Sequence, residues 1–176
     1  MKFAETPLPG AFVIELEPHS DERGFFARSW CRNEFIEHGL NAELVQCNVS
    51  FNHKKGTLRG MHYQAQPYAE TKLVRCTQGG VYDVIIDLRP DSRTFNEWFG
   101  VELSAENRKM LYIPEDFAHG FLTLADKTEV FYQMSAFYEP TAARAIRWND
   151  SAFKIDWPGK VEIISDKDAL LPDWEG

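Results

Sequence analysis

Only three cysteines occur in 176 residues, and no two form a C-x-x-C pair. Cys31, Cys47 and Cys76 are odd in number as well, which argues against a disulfide framework and against a zinc knuckle. Positive charge is also short. Lys and Arg total 19 against 27 Asp and Glu, for a formal net charge of −8. Phosphate-backbone binding needs a basic stripe, so neither nucleic acid nor an anionic membrane surface is expected as a partner. No stretch approaches the ~18 apolar residues of a membrane span, and the first residues lack an apolar signal-peptide core. A soluble protein working in the cytoplasm is expected. Internal repeats, low-complexity tracts and linkers are missing too. One domain over residues 1–176 is therefore expected, large enough for a real core.

What is present is apolar and aromatic, in short runs. The 13 Phe and 5 Trp can fill a core and leave rings to line a cleft for flat ligands. Alternating or apolar runs fall between turn signals at Phe12–Glu17, Phe25–Trp30, Glu43–Phe51, Thr57–Tyr63, Lys72–Cys76, Val81–Leu88, Trp98–Leu103, Gly120–Leu124 and Glu129–Phe137. Short strands spaced in this way predict a mainly β sandwich or barrel. One helix is expected from Asn33, as N-cap, to about Gly39, with a second helical turn over Ala105–Lys109. The C-terminal segment reads as loop with one turn.

Two short motifs carry chemistry. LRGMHYQ (Leu58–Gln64) and PEDFAHGF (Pro114–Phe121) each set one His in a strand-like apolar stretch, with Arg59 just before His62 and Lys72 soon after. A base titrating near neutrality beside fixed cations suits proton abstraction next to a carbonyl on an anionic substrate. Taken singly, such a His is more often a satisfied core residue. The basic residues Arg23, Arg28, Lys54, Lys55, Arg59, Lys72 and Arg75 gather in the first half. On an acidic chain that clustering suits a pocket for a small phosphorylated ligand. Lys54 and Lys55 read as solvated surface.

Six motifs in order resemble the dTDP-4-dehydrorhamnose 3,5-epimerase family: DERGFF (Asp21–Phe26), LRGMHYQ, KLVRC (Lys72–Cys76), VYDVIIDLRPDSRTF (Val81–Phe95), LSAENRKMLYIPEDFAHGF (Leu103–Phe121) and SDKD (Ser165–Asp168). The resemblance runs from about Phe12 to Asp168. It implies a cupin-type jelly roll with one or two short helices, no metal and no cofactor, and a homodimer that exchanges N-terminal strands. It further implies inversion of C3 and/or C5 of a nucleoside-diphosphate 4-keto-6-deoxyhexose through an enolate, in a deoxysugar pathway such as L-rhamnose for surface polysaccharide. By the same resemblance His62 is the base, Asp168 its carboxylate partner, Tyr132 the acid on the far face, and Lys72 the cation near the keto oxygen. Arg59 and His119 match diphosphate contacts. Arg23 matches a residue reaching the nucleotide from the partner subunit. Gln46, Asn48 and Lys167 match polar contacts near the sugar or nucleotide, and Tyr138 the ring stacked on the base. Without the resemblance, Tyr132 reads as a strand aromatic, Lys72 as a surface charge, Asp168 as a turn residue and Tyr138 as packing before the Glu139-Pro140 turn.

The chain departs from that pattern at three places. Arg28 and Ala143 stand where the family has Glu, at positions expected around the base, and Val49 stands where a His is usual. A carboxylate accepts from the thymine N3–H, whereas an Arg can only donate and could bridge cytosine N3 and O2. The base therefore stays open between thymine and cytosine. A single-centre (5- or 3-) epimerase of a CDP- or GDP-linked 4-keto sugar would use the same four reacting residues. A metal-dependent cupin oxygenase would need an H-x-H pair, which Tyr63 and Gln64 break after His62. A non-catalytic sugar-nucleotide-binding cupin would have no need of His62, Asp168, Tyr132 and Lys72 together.

Overall fold

β-branched and aromatic runs fit a pleated, half-buried surface, and the chain lays them down as strands. The computed structural model describes residues 1–175. The strands are β1 (Lys2–Glu5), β2 (Phe12–Glu15), β3 (His19–Asp21), β4 (Gly24–Phe26), β5 (Gln46–Asn52), β6 (Leu58–Gln64), β7 (Lys72–Gln78), β8 (Gly80–Asp87), β9 (Trp98–Ser104), β10 (Met110–Ile113), β11 (Phe117–Thr123), β12 (Thr128–Met134) and β13 (Ala143–Ala145). The helices are α1 (Arg32–Glu37) and α2 (Asp166–Ala169). One sheet has the order β1-β2-β10-β7-β12-β5 and the other β13-β6-β11-β8-β9, while β3 and β4 pair as a separate ribbon. The pairings within both sheets are antiparallel. Two facing antiparallel sheets of this order make a cupin-type jelly roll.

The core lies between the sheets. Val74, Cys76, Leu111 and Val130 from one side meet Val81, Ile85, Leu103, Phe117 and Phe121 from the other. Full burial of one such aliphatic or aromatic side chain is worth ~1.5–3 kcal/mol. The sheets differ in how much of each strand they cover. Along β8 all but Tyr82 are buried. Along β5, an edge strand, the polar residues Gln46, Asn48, Ser50 and Asn52 are the covered ones, and Cys47, Val49 and Phe51 are exposed. Its inner face is therefore polar, which suits a cleft rather than a core.

Several local expectations are corrected. Helix α1 starts at Arg32 with Cys31 as N-cap, extended at φ −153 and without a side-chain cap, so Asn33 already lies inside the helix. Buried Phe35 anchors it. Residues 105–107 make a turn, and Arg108 at φ +53 stops any helix from continuing through Lys109. Ser104 and Asn107 close that turn with reciprocal side-chain bonds of 3.0 Å. The expected strand Phe25–Trp30 shrinks to Gly24–Phe26. Strands β1, β3, β10 and β13 lie outside the expected runs, and Asp168 sits in helix α2 rather than in a turn.

Two glycines explain the shape of both histidine motifs. Gly60 has φ +137, and a Cβ there would stand 2.4 Å from the Gly120 Cα. A Cβ on Gly120 would stand 2.8 Å from the Arg59 carbonyl oxygen. Neither is tolerable, so only glycine lets β6 and β11 approach so closely. The ladder shifts register at this point, and His62 and His119 end up directly opposite each other.

Candidate active site

A cleft of about 780 Å³ is lined by residues of both sheets. From the six-stranded sheet come Asn48 on β5, Lys72 on β7 and Tyr132 on β12. From the five-stranded sheet come Arg59 and His62 on β6, His119 on β11 and Ala143 on β13. Lys167 on α2 and Tyr138 complete the part named from sequence. His62 and Tyr132 thus reach one space from opposite sheets.

Asp168 stands behind His62. Its Oδ1 lies 2.8 Å from His62 Nε2. The Asp168 side chain is 6% exposed and the His62 side chain 45%. Ser165 caps α2 by accepting from the Asp168 N–H at 3.1 Å, which fixes where the carboxylate points. Burial lowers the His62 pKa below its usual 6.5, against the upward pull of Asp168, and Lys72 and His119 lower it further. The ring is thereby neutral at pH 7, with the hydrogen on the nitrogen that faces the carboxylate. Nδ1 keeps the lone pair.

Lys72 is buried, 3.1 Å from Glu70 Oε1, and donates to the His62 carbonyl at 3.3 Å. An ammonium has three N–H bonds, so one remains for a substrate oxygen. His119 is the second histidine with a carboxylate. Its Nε2 lies 2.9 and 3.0 Å from the two oxygens of Asp83, a residue with no exposed surface. Arg59 donates through Nε to Asn52 Oδ1 at 2.8 Å, which holds the stem and leaves the end of the fork for an anion.

The sequence matches the family described as dTDP-4-dehydrorhamnose 3,5-epimerase over residues 5–175. A dTDP-4-dehydrorhamnose 3,5-epimerase of Shigella flexneri is 46% identical over 169 residues, covering 96% of this chain and 93% of that one. The chain belongs to the dTDP-4-dehydrorhamnose 3,5-epimerase family. Solved members agree in shape. The Bacillus anthracis enzyme, with TDP and PPi bound, superposes with a TM-score of 0.94 at 42% identity, covering 98% of this chain and 99% of that one. The Legionella pneumophila enzyme, in complex with dTDP-4-keto-L-rhamnose, gives 0.89 at 37% identity, covering 99% of each chain.

Of the residues named from sequence on this epimerase-family chain, the structure gathers His62, Lys72, Tyr132, Arg59, His119, Asn48, Tyr138 and Lys167 in the cleft, with Asp168 behind His62. Gln46 stands one step back and accepts the Tyr138 N–H at 3.2 Å. Arg23 and Arg28 do not line the cleft of their own chain. Arg23 projects from the β3–β4 ribbon, 85% exposed, and pairs with Asp21. Arg28 pairs with Glu34 at 2.8 Å. Val49 lies at the rim. Sequence reading missed Asp83, Glu70, Gln64 and Arg144. Asp83 had left a signal, a carboxylate inside the apolar run VYDVIID. Among the described residues no three His, Cys, Asp or Glu side chains are placed to hold a metal ion, and no helix is long and apolar enough to cross a membrane.

Proposed function

We propose that this chain, as one domain over residues 1–176, converts dTDP-4-dehydro-6-deoxy-D-glucose to dTDP-4-dehydro-L-rhamnose by inverting C3 and C5. The observation that carries the reading is a neutral, carboxylate-backed His62 and a tyrosine on opposite walls of one cleft, with a buried ammonium beside the histidine. His62 Nδ1 takes the proton from the carbon beside the carbonyl. The C–H electrons form a double bond to the carbonyl carbon, the C=O π electrons move onto its oxygen to give an enolate, and Lys72 meets that oxygen. Tyr132 gives its hydroxyl proton to the opposite face, and the enolate electrons return to form the new C–H bond. His62 then releases its proton to solvent and Tyr132 regains one, so the cycle balances. The second centre repeats the sequence.

Arg59 and His119 bind the diphosphate, the first through its fork and the second through the ring edge that faces away from Asp83. Asn48 and Lys167 contact the sugar or nucleotide, and Tyr138, supported by Gln46, stacks on the base. The protein works as a soluble cytoplasmic homodimer in which the β3–β4 ribbon carries Arg23, and with it Arg28, to the partner's cleft. Exposed Phe25 and Phe26 on that ribbon and the free edge of β5 support the arrangement. Ala143 leaves the base end without its carboxylate, so dTDP is favoured over CDP by less than a matched carboxylate would give.

NMR in deuterated water with dTDP-4-keto-6-deoxyglucose tests the reading. Deuterium at C3 and C5 with L-rhamno product is expected. Exchange at one carbon alone would make the chain a single-centre epimerase, and no exchange would overturn the assignment.

A further inference from the structure

Gln64 ends β6 with a side-chain amide that is used completely. The residue is 3% exposed. Its Nε2 lies 2.7 Å from Glu70 Oε2, 2.9 Å from the Tyr68 carbonyl and 3.2 Å from the Phe137 carbonyl. Its Oε1 accepts the Glu139 N–H at 2.6 Å. The partners dictate the orientation: three oxygens must face the NH2 and one N–H must face the carbonyl. Glu70 in turn holds Lys72 at 3.1 Å through its other oxygen. One amide therefore grips the carboxylate that positions Lys72 and both neighbours of Tyr138.

We infer that Gln64 is a positioning residue that couples occupancy of the base end of the cleft to the placement of the Lys72 ammonium. Nothing in the reaction itself requires this link, since Lys72 and Tyr138 serve different parts of the substrate. The inference rests on the reading that Lys72 meets the sugar carbonyl and Tyr138 the base. A base stacked on Tyr138 fixes residues 137–139. That segment holds the Gln64 amide at both ends, and the amide holds Glu70 where Lys72 needs it. Binding at a remote, non-reacting group is thus spent on orientation at the reacting centre. A buried amide whose hydrogen-bonding capacity is fully used has one orientation, which suits such a relay.

The test splits the substrate. Deuterium exchange into 4-keto-6-deoxyglucose 1-phosphate is followed with and without added thymidine. In the wild type, thymidine should accelerate exchange about tenfold, the effect of placing roughly one charge-assisted hydrogen bond. In Gln64→Met, which keeps the length and removes every bond, the acceleration should disappear while slow exchange persists. Glu70→Gln breaks the relay one step further on and should lose the acceleration too, which keeps the test open if Gln64→Met does not fold. No acceleration in the wild type, or acceleration preserved in either folded variant, would overturn the inference. Failure of the wild type to exchange the intact dTDP sugar would instead sink the epimerase reading on which it rests.

Discussion

The two histidines face each other across one strand pair, and each has a carboxylate at Nε2. Their surroundings differ. His62 opens to the cleft with 45% of its side chain exposed, and its carboxylate comes from a four-residue helix after the last strand. The His119 side chain is 10% exposed, and its carboxylate comes from β8, whose other residues are nearly all covered. A base must present a lone pair to a moving proton and change charge in each cycle. A phosphate contact has only to stay in place. In the proposed roles, the same pair of residue types serves chemistry where solvent reaches it and positioning where it does not, and the contrast lies in the third dimension rather than in the residues.

The comparison breaks most sharply by deleting each ring. His62→Asn should lower deuterium exchange by roughly 10²–10⁴, the usual worth of a positioned general base. His119→Asn should act mainly on KM, because it removes a contact made in ground and transition states alike. Steady-state kinetics with the dTDP sugar separates the two. Equal losses of kcat in both would erase the distinction drawn here.

Asp168→Asn comes next. Losing one charge-assisted bond should cost about ten- to a hundredfold in rate. The pH profile supplies the sign. Asp168 raises the His62 pKa against the larger effect of burial. Without it the value falls further below 6.5, so the acid limb of kcat/KM should move to lower pH. Lys72→Met removes a charge that lowers the same pKa and should move the limb up. Shifts in the same direction would show that the limb does not report His62.

The sheets were legible in the sequence because their runs alternate or stay apolar between turn signals. Strand β10 was hidden in MLYI, four covered residues too few to show a period. Strand β1 was hidden because an edge strand needs no apolar face, and three of its four residues are exposed. The catalytic candidates came through the motifs. What escaped was the support: the β8–β11 ladder brings Asp83 to His119, and Gln64 reaches across from that sheet to Glu70, the carboxylate that pairs with Lys72 on the other sheet. Arg23 and Arg28 differ from these, since within one chain they pair with Asp21 and Glu34.

Asp83→Asn sharpens the other side of the comparison. Both Asp83 oxygens face the His119 ring from a site without solvent. Asn keeps one acceptor and turns the other into an NH2 with no partner, a cost of about 1–3 kcal/mol. At this chain length each kcal/mol lowers Tm by ~2–4 °C, and differential scanning calorimetry would read the drop. Unchanged Tm with a collapsed kcat would mean that Asp83 does for His119 what Asp168 does for His62.

The smallest expected effect lies in stability against pH. Folding lowers the His62 pKa below its unfolded value near 6.5. Above that value the ring is neutral in both states and its full contribution to stability is present. As pH falls through 6.5, the unfolded chain takes up the proton first, so the folded state loses ground until its own, lower pKa is passed. Other groups whose pKa changes on folding add their own slopes, so the wild-type curve alone is uninformative. The difference between the wild type and His62→Asn isolates the one ring. Below pH 6.5 the wild-type Tm should fall more steeply than that of the variant, and only slightly so, because a half-exposed ring is partly screened by water. Parallel curves would place the folded pKa of His62 at its ordinary value, and the ring would then be partly protonated, and a poorer base, near neutral pH.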